Sequence, residues 1–397
     1  MQKKLIAAAI AGLIAVPALA QTNVTISGRF AAGYDNYKLS GCDTGPTLGS
    51  CDSESRFSDQ SSRIIFNVTE DLGGGLSAWG QFDTRFGIDS AASGGYNGGN
   101  TGIGLMHKQW GKFTLGHWDV HYQEFTPMEA SRAGSLQTLL GNGIMSQVSL
   151  GTFPAVLPGV GGNITMANGT RTSNLIMWDS PNWNGFTARL GYSTGWLAGS
   201  SEGSGYSAAG LGNPGGGDAW TATLRYNNGP WSAGYSYWTA DSENEQTGGA
   251  YADQTSNRLW GSYAFAMGLK IGLAWDRSEQ DLGIHGVGNV GNFKRTAWMV
   301  PINYAWGPHK VYFNYAKAGD SSDTSGVDTG AKAWSVGYDY AFSKRTSAGI
   351  FYTKLSNQEA ASYNLFANGL SGTTVGGVAP TVGADVRQWY IGMAHNF

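Results

Sequence analysis

The sequence holds little of what most functional classes require. After its first twenty residues it has no run of about 18 consecutive apolar residues, so a membrane-crossing helix is excluded. Charge is sparse and nearly balanced, with 25 Lys and Arg against 28 Asp and Glu, which removes the basic excess of a nucleic-acid binder. Cysteine is confined to Cys42 and Cys51, and with no His or third Cys nearby the pair makes no metal set. His117 and His121 would align on a helix but stand about 13 Å apart on a strand. The acidic group Asp241, Glu243 and Glu245 lacks EF-hand spacing. The glycine runs Gly94–Gly104 and Gly215–Gly217 carry no following Lys-Ser or Lys-Thr, so they build no phosphate loop. No G-x-S-x-G context offers a nucleophile, and no cofactor is implied.

What is present is glycine, 61 residues of it, together with aromatic side chains at 13%. The chain opens as an export signal: Lys3 and Lys4, the apolar stretch Leu5–Val16, and the small-residue site Ala18-Leu19-Ala20. The expected organisation is a signal peptide over 1–20 and one domain over 21–397. Export to an oxidising compartment lets Cys42 and Cys51 close a disulfide at the tip of the first long loop; two free thiols are the alternative.

Turns alternate in length along the exported part. Tight turns fall at Asp71–Gly75, Trp110–Lys112, Pro181–Gly185, Asn227–Pro230 and Ser343–Thr346. Long polar loops fall at Tyr34–Gln60, Gly87–Thr101, Gly195–Gly217 and Leu355–Ala384. Short turns on one edge and long loops on the other mark an antiparallel barrel in an outer membrane. Only helices and closed barrels satisfy every backbone group in lipid, and helices are already excluded.

The segments between turns alternate with period two. In Asn23–Gly33, Val24, Ile26 and Phe30 share one face, and Thr25, Ser27 and Arg29 the other. In Ser61–Thr69, Ile64, Phe66 and Val68 point outward and Arg63 and Asn67 inward. In Leu76–Phe86, Phe82 points outward and Gln81, Asp83 and Arg85 inward. Thirteen further candidates bring the count to sixteen: Gly102–Gln109, Phe113–Trp118, Thr172–Ser180, Phe186–Thr194, Asp218–Tyr226, Trp231–Ala240, Gln254–Ala266, Leu269–Ser278, Phe293–Ala305, His309–Ala318, Lys332–Ala341, Ser347–Leu355 and Asp385–Phe397. Leu175–Trp178 is apolar on both faces, as a strand packed on a neighbouring subunit would be. Trp110, Trp178, Trp183, Trp231, Trp306, Phe342 and Tyr390 sit near strand ends, where aromatic girdles meet headgroups. The fold class is all-β, a sixteen-stranded antiparallel transmembrane barrel.

Several stretches resemble the general trimeric porins of Gram-negative bacteria. They are NVTISGRFAAGY (Asn23–Tyr34), SSRIIFNVTEDLGGG (Ser61–Gly75), RTSNLIMWDSPNWNGF (Arg171–Phe186), YAFSKRT (Tyr340–Thr346) and the closing IGMAHNF (Ile391–Phe397). Ile65 and Val68 replace glycines common in that family. The resemblance implies a homotrimer, passive diffusion of small hydrophilic solutes and ions, contact with outer-membrane lipid and lipopolysaccharide, and a third loop folded into the lumen. It also implies that Phe397, with His395, Met393, Ile391 and Trp389 at every second position, is a signal read by the barrel-assembly machinery.

The third loop runs from Asp119 to about Thr170. The expected constriction places its Asp119, Glu124, Glu129 and Arg132 opposite Arg29, Arg63 and Arg85 on the wall. Acid facing base sets a transverse field across the narrowest point. Arg85 lies near the outer end of its strand and reads as the mouth. Where the family carries G-R-Q, this chain has Gly116-His117-Trp118, which replaces one wall cation by a mostly neutral group and argues against strong anion selectivity. Alternatives are a solute-tuned channel with Trp196 and Trp220 as an apolar track for sugars, a barrel enzyme of the lipase or protease kind, and a surface adhesin.

Overall fold

In the computed structural model the alternating segments close into one sheet. Residues 22–41, 51, 53–89, 98–124, 131, 133, 140–149, 163–165, 171–195, 217–241, 250–284, 286, 288–322, 328–365 and 383–397 are described. The strands are β1 (Thr22–Ser40), β2 (Ser53–Asp59), β3 (Arg63–Gly73), β4 (Leu76–Arg85), β5 (Thr101–His107), β6 (Gly111–Trp118), β7 (Gln147–Ser149), β8 (Asn163–Thr165), β9 (Thr172–Asp179) and β10 (Phe186–Ser193). They continue as β11 (Ala219–Asn228), β12 (Trp231–Ala240), β13 (Ala250–Ala264), β14 (Leu269–Ile284), β15 (Gly288–Trp306), β16 (His309–Ala318), β17 (Ala331–Ala341), β18 (Thr346–Asn357) and β19 (Asp385–Asn396).

Each wall strand pairs antiparallel with its neighbour along the chain, and β1 pairs with β19 from Arg29↔Asn396 to Ser40↔Asp385, which closes the cylinder. β2 and β3 both pair with β1, one above the other, and form a single interrupted stave. Counted so, the barrel has sixteen staves. At the interruption Ser61 takes φ 67°, and Asp59 accepts the backbone N–H of Ser61 at 2.7 Å. β7 and β8 form a separate small hairpin within the third loop.

Several boundaries differ from expectation. The described residues of Tyr34–Gln60 are mostly strand, with Asp35, Tyr37 and Leu39 facing inward and buried while Tyr34 and Phe57 stay exposed. β13 starts earlier than expected, β14 ends later, and β15 extends at both ends.

Burial follows period two. In β14, Ile271, Leu273 and Trp275 are exposed, while Ala274, Asp276, Ser278 and Gln280 are buried. The exposed row is the lipid face. Phe66 stays exposed on that face, its ring 6.5 Å from Phe82. Rings collect near the strand ends in pairs, such as Trp231 with Tyr263 at 4.6 Å and Tyr340 with Phe342 at 5.1 Å. Tyr390 is an exception to the expected girdle. It points inward, 1% exposed, and stacks on Phe351 at 4.9 Å. Its ring occupies the space over Gly33 and Gly392, where an added Cβ would meet Tyr390 atoms within 2.5 Å. Tyr312 likewise covers Gly337. Part of the glycine content is therefore a bare inner wall on which rings lie flat.

Candidate functional site

Register brings three cations into one row. Arg29 of β1 stands opposite Arg63 of β3, and Arg63 stands opposite Arg85 of β4. Arg85, the last residue of β4, is thus level with the other two. Like charges directly opposite one another are destabilising, so this row is costly to keep for stability alone. Arg85 is partly neutralised, with its Nε 2.8 Å from Asp83 and a further bond to Ser61. Among the described residues, Arg29 and Arg63 make no close ion pair, Asp59 and Asp83 acting on them only at longer range, and Arg29 Nε and Nη2 are buried with no hydrogen bond. Arg171, at the start of β9, is electrostatically coupled to Arg63 and extends the positive wall.

The third loop enters the lumen, and its two described acids, Asp119 and Glu124, pair with other arginines than that row. Asp119 accepts from Asn100 Nδ2 at 2.8 Å and from Tyr122, and lies 3.3 Å from Arg171 Nε. Burial and the Asp119 carboxylate push the Tyr122 phenol up. Glu124 is buried against the wall, paired with Arg225 of β11 and 3.8 Å from Arg189 of β10. Both acids anchor the neck of the loop to different arginines from those expected. Glu129 and Arg132 lie outside the described residues.

Deeper in, a buried triad holds the loop. Asp276 of β14 accepts from Arg258 Nε of β13 at 2.9 Å and from Arg295 Nη2 of β15 at 3.0 Å. Arg258 also donates to the carbonyls of His121 at 3.2 Å and Met145 at 3.2 Å. Arg295 donates to the carbonyl of Ile144 and, at 2.8 Å, to that of Met145. The residues Gly141–Met145 form one π-helical turn, and cations suit the unpaired carbonyls at its C-terminal end.

His121, on a 3₁₀ turn over His121–Gln123, is fully buried between Ser236 and Ser256. Ser256 Oγ donates to Asp276 at 2.9 Å, so it accepts from His121 Nε2 at 2.8 Å; Nδ1 then accepts from Ser236 Oγ at 2.9 Å. Burial, followed by the nearby Arg258, lowers this imidazole to about 3, so it is neutral at pH 7. Ser131 reaches Asp339 of β17 at 2.7 Å.

Apolar packing completes the dock. Val120 and Tyr122 sit in a cluster with Leu175, Met177 and Trp238. This explains why Leu175–Trp178 is apolar on both faces. Leu175 and Met177 receive the loop from inside, and no neighbouring subunit is needed for them. Leu140, Ile144 and Met145 pack on a second inner surface that includes Ala274, Ala297, Ala316 and Ala333. The loop therefore covers the inner wall on the β13–β18 side, while the β1–β4 side carries the arginine row.

Other expected residues land elsewhere. Trp118 packs inward on the first cluster, and His117 beside it, at a shift in the β6–β9 register, bonds Ser173 at 3.0 Å. Trp220 is exposed and pairs with Tyr192 at 4.5 Å, on the outer face rather than along a solute track; Trp196 lies outside the described residues. Cys51 is disulfide-bonded, while Cys42 lies outside the described residues. The ring of Phe397 stacks on Phe30 at 5.2 Å, and its backbone exchanges two hydrogen bonds with Gly28 at 3.1 Å each. Sequence reasoning misses Arg171, Arg189, Arg225, Arg258, Asp276 and Arg295 as site residues. Their signal is inward parity combined with alternating Ala and Ser, a smooth wall that something must cover.

A closed barrel with a greasy exterior, a charged lumen wall and a loop docked inside defines an outer-membrane diffusion channel. Residues 7–360 match the family model described as Gram-negative porin, and the chain belongs to that family. It is 28% identical over 380 residues to an outer membrane porin protein of Bordetella pertussis, covering 87% of this chain and 92% of that one. Its fold is similar to the anion-selective porin from Comamonas acidovorans, with a TM-score of 0.69 at 22% identity, covering 95% of this chain and 100% of that one. It is also similar to the trimer form of OmpT of Vibrio cholerae, with a TM-score of 0.60 at 12% identity over 95% and 99% of the two chains.

Proposed function

We propose that this outer-membrane channel passes small anions in preference to cations. The observation that carries the reading is the level row Arg29, Arg63 and Arg85, two of whose members make no close ion pair among the described residues. Two of the loop acids that would oppose the row, Asp119 and Glu124, are occupied by Arg171, Arg189 and Arg225. Lys112, seated 3.5 Å from the Trp79 ring, adds a further cation. The Comamonas acidovorans porin of similar fold is described as anion-selective. Zero-current potentials across a salt gradient test the preference; a cation-selective potential would discard it.

The chain is read as a channel and not as a barrel enzyme, in line with its family. Lipase or protease turnover by the purified protein would overturn that. It is further read as a homotrimer. β5, β6, β9 and β10 have 7, 8, 8 and 8 residues, short of the roughly 9–11 that a tilted strand needs to cross the bilayer. Protein contact would seal that low wall, where Ile103, Leu105 and Leu115 are exposed. Cross-linking that stops at one chain would reject the trimer. A Cys42–Cys51 clip on the first long loop, removal of residues 1–20 on export, and reading of Phe397 by the assembly machinery complete the proposal.

A further inference from the structure

Two indoles line the lumen near its short-turn end, away from the arginine row. Trp79 of β4 and Trp118 of β6 point inward, and their rings meet at 5.6 Å with planes 80° apart, so that two π faces form a corner. Trp79 is held in place by its Nε1, which donates to the Phe113 carbonyl at 3.0 Å. It lies over Gly104, where an added Cβ would meet that Nε1 at 3.0 Å. Lys112, the second residue of β6, reaches into the corner. Its ammonium is 3.5 Å from the centre of the Trp79 ring and 4.8 Å from that of Trp118. Arg56 on Tyr37 at 6.0 Å and Lys310 on Tyr312 at 5.4 Å use one ring each and are longer contacts.

A carboxylate stands in register with this lysine, and the ammonium does not take it. Asp179 of β9 is opposite Lys112 but pairs with Arg189 Nε at 2.7 Å, and acts on Lys112 only at longer range. A partly buried ammonium without a close ion pair is costly unless something else offsets the lost water. Here the two ring faces do so. Aromatic faces converging on one cation are the arrangement that recognises choline-like and methylated ammonium groups in ligands. The lumen thus contains an ammonium-binding corner that the chain fills from within.

We infer that Trp79 and Trp118 form an alkylammonium site, and that Lys112 is a specificity-determining residue that closes this site to cationic solutes by occupying it. Trp79 precedes Arg85 on β4 by a span of about 20 Å along the strand, so the corner is a station separate from the arginine row. Its meaning for transport rests on the anion preference proposed above: an empty corner would hold amines in a passage that the row opens to anions. Its binding chemistry is independent of that reading.

The test uses the full-length protein in detergent and saturation-transfer NMR on n-propylammonium chloride. Lys112→Ala removes the atoms that this ion replaces. The variant is expected to bind n-propylammonium on the order of tenfold more tightly than the parent, and more tightly than Lys112→Met, whose uncharged chain still fills the space. Adding Trp79→Leu to Lys112→Ala should return binding to the parental level. Single-channel currents establish that each variant inserts; should Lys112→Ala fail to do so, Lys112→Ser carries the test with the same expectation. Equal binding by the parent and the small variant overturns the inference. Equal binding of n-propanol, which would show an apolar hollow, also overturns it, as does binding that survives Trp79→Leu, which would show attraction by Asp179 alone. A cation-selective zero-current potential of the parent bears on the anion preference and leaves these binding results to decide the site.

Discussion

Replacing Arg29 and Arg63 together by glutamine should move the channel's ion preference toward cations. In water, a unit charge about 8 Å from a passing ion contributes ~0.5 kcal/mol, and screening at 0.1 M salt roughly halves this. Two arginines then contribute about 0.5 kcal/mol, favourable to an anion and unfavourable to a cation. The anion-to-cation permeability ratio should therefore fall about fivefold, a difference of about 1 kcal/mol between the two ion signs. Across a tenfold salt gradient that corresponds to tens of millivolts in zero-current potential, with an upper bound of about 40 mV. Arg85 is left in place because Asp83 already offsets it. At 1 M salt, where screening acts over roughly 3 Å, parent and variant should converge. Planar-bilayer recordings on both proteins supply the numbers. A potential unchanged within a few millivolts at low salt, in a variant that still conducts, would refute the assignment of the arginine row to selectivity.

Asp276→Asn leaves Arg258 and Arg295 buried without their shared carboxylate, so the hold on the third loop should weaken by about 3–5 kcal/mol; larger, noisier single-channel openings are expected, and steady parental openings would count against the clamp. His121 is held neutral down to about pH 3 and not to its ordinary 6.5. The unfolded chain binds that proton first, so the stability it contributes is complete above pH 6.5 and fades as pH falls toward 3; melting curves should lose this slope in His121→Gln, and parallel curves would contradict it. Gly33→Val puts side-chain atoms where the Tyr390 ring lies and should cost about 1–3 kcal/mol or block closure, visible as a lower temperature for loss of the compact band on gels. Phe397→Ala removes the stack on Phe30 at the seam and should slow insertion into lipid vesicles, with little change in the conductance of channels once formed.

The architecture is legible because lipid imposes one rule on every stave. Val24, Ile26 and Phe30, or Ile271, Leu273 and Trp275, must alternate with polar or small residues whatever their neighbours are. That parity alone places Arg29 and Arg63 inward. Their shared height with Arg85 depends on register, which hairpin geometry sets and alternation does not. The loop acids depart from expectation because nothing local to Asp119 and Glu124 says which arginine each will reach. Arg225 is 101 residues from Glu124, and only docking of the loop on the wall brings them together. The clamp Arg258–Asp276–Arg295 lies on three successive strands, and what stays hidden is its hold on the loop carbonyls of His121, Ile144 and Met145. Tyr390 reads as a girdle ring because an inward aromatic is legible only when the glycines it covers, Gly33 on another strand among them, are known to lie beside it.

The seam between the chain's two ends has a consequence for how the molecule is made. Twelve rungs join Arg29–Ser40 to the last strand, and the backbone of Phe397 bonds back to Gly28. The opening segment therefore waits, with one flank bare, until synthesis and export of everything else are complete. Loss of the closing strand would not yield a narrower tube. It would yield a curled ribbon with two raw margins, the shape that lipid rejects and that other chains can zip onto.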